Sequence, residues 1–162
     1  MTDVFVSYSR PDEAGVERLV RAIEAHGIGV WWDRSLEQNA DFGAVIDGAI
    51  DNSKIVLVCW SESAAKSKWV RGEAARGDHQ GKYSGVLLQE CLPPTPFNMH
   101  NNANLKDWSG AANSMRFIAL LESLATRLER PDLLGTVNNL RETPRSAKQG
   151  DAPKKRRKRS GR

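Results

Sequence analysis

In 162 residues this chain has only two cysteines, three histidines and two tyrosines, and no apolar run long enough to span a bilayer. Each scarcity removes a class of function. Cys59 lies in an apolar strand pattern and Cys91 ends another, neither with partners at metal-ligand spacing. Buried, reduced thiols in a cytoplasmic protein are therefore expected. His26, His79 and His100 are scattered, and no metal site is expected. Neither GxGxxG nor a Walker sequence occurs, so a nucleotide would not be held in the Rossmann manner. Met1-Thr2-Asp3 lacks the basic and apolar regions of a signal peptide, which fits the cytoplasmic expectation.

Charge of one sign is concentrated at one end. The formal net charge is +4, yet residues 141–162 hold ten basic and two acidic residues. Residues 1–140 then carry fourteen basic and eighteen acidic residues, a net −4. The pI of about 9.3 describes the tail, not the folded part. Residues 143–162 have no apolar pattern and are expected to be a disordered basic tail following a domain of residues 1–142. The block Lys154–Arg159 is either a solvated charge run, a nonspecific contact for nucleic acid or an anionic surface, or an import-like signal. It has no interleaved aromatics, which excludes base stacking.

What is present is an alternation of strands and helices. Val4-Phe5-Val6 predicts a first strand, and Val16, Leu19, Val20 and Ile23 an amphipathic helix ended by Gly27. Ile28 to Trp32 predicts a second strand, Asp33 to Asp41 a polar loop, and Phe42, Val45, Ile46, Ala49 and Ile50 a second helix. Ile55 to Trp60 is apolar on both faces, as central parallel strands are. Ser61 or Ser63 is expected to cap one helix running to about Gly77. Val86 to Leu88 predicts a fourth strand, Leu105 to Trp108 a short edge strand, and Phe117, Leu121, Leu124 and Leu128 a last long helix. Leu133 to Leu140 suits a further short helix. This order implies a flavodoxin-like five-stranded parallel sheet with helices on both faces.

The most informative side chain is Glu73, at the end of Ser67-Lys68-Trp69-Val70-Arg71-Gly72-Glu73. Trp69 and Glu73 are four residues apart and share one face of a helix. In open α/β sheets, ligands bind at the C-terminal ends of the strands. Glu73 is either a solvated helix acid or a catalytic one. Trp69 either packs in the core or stacks on a nucleobase. Arg10 ends the first strand, where it either stays solvated or meets a pyrophosphate. Tyr8 and Ser9 line the same turn. Trp31 and Trp32 alternate across a strand, and Trp32 is taken as the one facing the site.

Four stretches together resemble a Toll/interleukin-receptor homology (TIR) domain of the bacterial kind. They are residues 3–10, Val30-Trp31-Trp32-Asp33 with Phe42 beyond its loop, residues 56–61 with 67–74, and residues 105–110. The resemblance covers about Asp3 to Leu128. It implies either a non-catalytic adaptor working by TIR–TIR contact or an enzyme that cleaves NAD+ at the nicotinamide–ribose bond. Such an enzyme would release ADP-ribose or a cyclic isomer, in bacterial defence or effector signalling. NAD+ would be substrate, with no separate cofactor.

On the enzymatic implication Glu73 is the catalytic carboxylate, Phe42 a ring near the nicotinamide, and Asp33 either a ligand of a ribose hydroxyl or a cap of its loop. The active form is a homo-oligomer or a complex with another TIR protein. The loop from Arg34 to Asp41 departs from the pattern, for it holds neither Gly nor Pro and Asn39 stands near the usual Gly. A nucleoside deoxyribosyltransferase, which has a related architecture and a glutamate, fits the first-strand and Trp-Asp motifs less well.

Overall fold

A computed structural model describes residues 2–32 and 41–143. Asp33, the loop to residue 40 and the basic tail lie outside the described residues. Five parallel strands form one sheet: β1 (Thr2–Ser7), β2 (Val30–Trp31), β3 (Ser53–Trp60), β4 (Tyr83–Leu87) and β5 (Ala103–Asn104), in the order β2-β1-β3-β4-β5. Helices α1 (Glu13–Glu24), α5 (Met115–Arg127) and α6 (Pro131–Glu142) pack on one face of the sheet. Helices α2 (Phe42–Asp51), α3 (Glu62–Lys66) and α4 (Lys68–His79) pack on the other.

Side-chain alternation divides the core. Val4, Val6 and Tyr8 meet Leu19, Ile23, Phe117 and Leu121 on the α1/α5 side. Phe5, Val56, Val58 and Trp60 meet Ile46, Ile50, Val70 and Ala74 on the α2/α4 side. Strand β3 is buried on both faces from Ile55 to Trp60, as its apolar run predicts. Gly77 lets α4 lie close to β3, since a Cβ there would stand 2.7 Å from that of Val56. Gly27 closes α1 in the left-handed region (φ +74°).

Four boundaries differ from the sequence reading. The single helix expected after β3 is two. Ser61 caps α3 by accepting from the Ala64 N–H, and extended Ser67 (φ −77°, ψ 122°) breaks the chain and caps α4 by accepting from the Val70 N–H. Strand β4 begins at Tyr83, three residues before the expected start, and Tyr83 is buried. Cys91 accordingly lies four residues beyond the strand, half-buried, rather than ending it. Strand β5 precedes Leu105–Trp108. That segment instead turns through Asp107 (φ +59°), so that Trp108 stacks on Phe117 at 5.1 Å and donates to the Ala111 carbonyl. Finally, β2 is confined to two residues on the sheet edge.

The β4–β5 connection is anchored by a polar relay. Trp60 Nε1 donates to the Tyr83 hydroxyl, which donates to Asn102 Oδ1, and Asn102 Nδ2 donates to the Phe97 carbonyl. Burial pushes the Tyr83 hydroxyl up to about 12. No described helix is long and apolar enough to cross a membrane.

Candidate functional site

Helices α2 and α4 both start at the C-terminal edge of the sheet and run back over the same face. Between them lies a cavity of about 460 Å³, within the usual range of small-molecule sites. Ile46 and Asp47 line it from α2, and Lys68, Trp69, Gly72, Glu73 and Arg76 from α4. At its rim Phe42, the first residue of α2, meets Trp69 edge to face, with ring centroids 5.3 Å apart. Glu73 lies one turn below Trp69 and is 3 % exposed, whereas Trp69 is 54 % exposed. Among the described residues Glu73 is the only buried Asp, Glu, Lys or Arg. A buried carboxylate carries a large desolvation cost and is kept where protein contacts or a function offset it.

The far end of the cavity is fixed by ions. Arg76 binds Asp51 with both arms of its guanidinium (Nε–Oδ1 3.0 Å, Nη2–Oδ2 2.8 Å) and lies 3.7 Å from Asp47. Gln80 donates to the same Asp51, and Lys82 Nζ caps the end of α2 through the Ile50 and Asp51 carbonyls. The hydrogen bonds from Arg76 and then Gln80 hold the Asp51 carboxyl down to about 2. Exposed side-chain cross-links thus join α2 and α4 at one end of the cavity, and the buried Glu73 lines it.

Of the residues singled out from sequence, Glu73 and Trp69 line the cavity, and Phe42 packs against the Trp69 ring without lining it. Tyr8, Ser9, Arg10 and Trp32 do not line the cavity. Tyr8 is buried on the α1/α5 side, where Trp32 leans against it at 6.2 Å. The choice of Trp32 over Trp31 is thus corrected. Phe5 pairs with Trp31 across β1 and β2, and residues in register share a face. Trp31 therefore stacks on Phe5 at 5.0 Å, on the side of the cavity. Ser7 is buried on that side too, its hydroxyl without a hydrogen-bond partner among the described residues.

Ser9 and Arg10 stand at the C-terminal end of β1, and Arg10 is exposed. The Ser9 hydroxyl donates to Asp12 Oδ2 at 2.8 Å, and the Ser61 hydroxyl donates to the same oxygen. Asp12 thus ties the loops after β1 and β3. Those two strands send their chains to opposite faces, which makes this the topological switch point of the sheet. Asp12 carries no functional expectation from the sequence, yet it is the residue that joins these two loops. Asp47 and Arg76 were also missed. Arg76 was recoverable, since positions 69, 72, 73 and 76 follow one helical face. Asp47 was not, because its place depends on how two helices pack.

A second cavity, about 370 Å³, opens across the sheet edge between Pro11, Asp12, Arg18, Gln89, Asp107 and Trp108. It contains no buried acid. The histidines do not converge: His100 pairs with Asp78 at 3.1 Å, and His26 packs near Phe117. Among the described residues no cluster of three or more metal-ligating side chains occurs. Burial, with Glu90, Asp12 and Glu62 nearby, pushes the Cys91 thiol up and makes it a poor nucleophile.

A family model for the TIR domain matches residues 4–130. The chain belongs to the TIR domain family. The TIR domain of the Toll-related receptor TRR-2 from Hydra magnipapillata superposes with a TM-score of 0.60 at 19% identity, covering 86% of this chain and 100% of that one. This likeness shows the TIR fold. The TIR domains of the activated Roq1 resistosome, which directly recognizes the pathogen effector XopQ, are similar at 18% identity and a TM-score of 0.47, covering 86% of this chain and 81% of that one. No curated protein matches the sequence.

Proposed function

We propose that this TIR domain cleaves NAD+ at the nicotinamide–ribose bond with Glu73 as its catalytic carboxylate. One observation carries the reading: the single buried charged side chain among the described residues lines a cavity whose rim is an exposed indole. As the ribose C1′–N bond breaks, its electron pair leaves with neutral nicotinamide, which needs no acid. The ribose is left with oxocarbenium character. A carboxylate held in a water-poor cleft stabilises that charge more strongly than one in water. Water then adds at C1′ and releases a proton, giving ADP-ribose, or an internal nucleophile adds and gives a cyclic isomer. Phe42 and Trp69 supply ring faces for the nicotinamide or adenine. Ser9 and Arg10 stand just beyond the end of β1, and self-association of the domain completes the site. The reading includes a cytoplasmic role in defence or effector signalling, on the strength of membership in the TIR family.

The adaptor reading draws on a different observation. Leu92 (76 % exposed) and Met99 (79 % exposed) present apolar surface on the β4–β5 connection, as a protein–protein contact does. Concentrated protein incubated with NAD+, with and without a crowding agent, separates the two when products are resolved by chromatography. Nicotinamide appearing with ADP-ribose or a cyclic product, and absent with Glu73→Ala, supports the enzyme. Intact NAD+ under every condition supports the adaptor.

A further inference from the structure

Helix α4 contains two glycines with opposite surroundings. Gly77 is required by packing, because any side chain there runs into Val56. Gly72 is exposed, sits in the helix interior with no positive φ, and an added Cβ would meet nothing within 4 Å. Nothing in the protein needs a glycine at this position, yet glycine is a poorer helix former than alanine. Glycines with similarly open surroundings occur elsewhere, as at Gly48 and Gly135. What distinguishes Gly72 is its place: it lines the cavity between Trp69 and Arg76, immediately before Glu73.

We infer that Gly72 is a specificity-determining residue, leaving a bare strip of α4 backbone on which a flat heteroaromatic ring lies against the helix beside Glu73. The inference rests on the reading of this cavity as the NAD+ site, and it assigns the floor of that site to a missing side chain. A ring resting on the strip has the Trp69 indole at one end and the Arg76–Asp51 pair at the other. The two carbons of an ethyl-sized group would already lift it from the helix. One extra methylene in a fitted pocket changes discrimination by roughly 10- to 200-fold. Helix stability and ligand fit therefore pull in opposite directions at this position, which a purely structural glycine would not show.

The test compares wild type, Gly72→Ala, Gly72→Leu and Gly135→Ala in three readouts: thermal midpoint, nicotinamide release, and the shift of the Trp69 indole N–H resonance on titration with NAD+. Both alanine variants should raise Tm by about 2–4 °C. Gly135→Ala should keep wild-type turnover, Gly72→Ala should raise KM roughly tenfold, and Gly72→Leu should lose release and the indole shift while staying folded. Release by Gly72→Leu equal to wild type overturns the inference and leaves the NAD+ reading intact. If no variant releases nicotinamide but NAD+ shifts the indole in wild type and not in Gly72→Leu, cleavage is wrong and the role of Gly72 stands. An indole unmoved by NAD+ in wild type overturns both.

Discussion

Helices α4 and α5 have nearly equal lengths and cover opposite faces of one sheet, yet they bury very different things. Helix α5 buries Phe117, Ile118, Leu120, Leu121, Leu124 and Ala125. Helix α4 buries Val70, Glu73, Ala74 and Gly77. One helix is given to apolar packing, while the other leaves a cavity and places a carboxylate in it. Sites tend to be held by elements that forgo packing, and the stability they forgo is supplied elsewhere. In this chain the α5 face supplies it, and α4 keeps its place through Val70, Ala74 and the close approach of Gly77 to β3.

Substitutions on the two helices should separate stability from function. The largest stability effect belongs to α5. Phe117 is fully buried and stacked on Trp108, so Phe117→Ala should cost about 3–5 kcal/mol in denaturant unfolding. A loss under about 1 kcal/mol would mean that this face is not the main store of stability. At the rim of the cavity, Trp69→Ala loses an edge-to-face contact with Phe42 worth about 0.5–1.5 kcal/mol. It should raise KM for NAD+ far more than it lowers Tm. Equal proportional effects on both would make Trp69 a packing residue.

The smallest effect concerns the ionic cross-link. The Asp51 carboxyl lies below its ordinary value of 3.8, at about 2, because Arg76 and Gln80 donate to it. A depressed carboxyl contributes stability above its unfolded value and loses it as pH falls through its folded value. Wild type should thus exceed Arg76→Ala in Tm at pH 6, and the difference should shrink as pH falls from about 4 and disappear below about 2. Both side chains are exposed, so salt should shrink the difference too. A gap that persists unchanged at pH 2 would assign the stability of Arg76 to packing of its stem.

The comparison also shows what the sequence could and could not reveal. Strand β3 was legible because a short apolar run rich in β-branched residues, Ile55, Val56 and Val58, suits a strand covered on both faces. The stripe of α5 was legible because a helix that only packs keeps a regular apolar period. Helix α4 was harder. Its break at Ser67 is hidden because serines at 61, 63 and 67 can all cap, and only the extended backbone at Ser67 decides between one helix and two. The pairing of Trp69 with Glu73 was legible from helical spacing, and the burial of Glu73 was not, since it depends on α2 closing over it. The alternation of Trp31 and Trp32 was readable, but which ring faces the cavity needed the register of β2 on β1. Asp12 escaped notice because a carboxylate at a helix start is ordinary, and its second partner, Ser61, is 49 residues away.

The central claim rests on one side chain, and Glu73→Gln tests it most directly because it keeps the shape and removes the charge. Nicotinamide release and Tm should be measured together on concentrated protein. In Glu73→Gln, kcat should fall at least about 100-fold with Tm unchanged or raised, as for loss of a group that stabilises only the transition state. Wild-type turnover by a folded Glu73→Gln protein would contradict the claim.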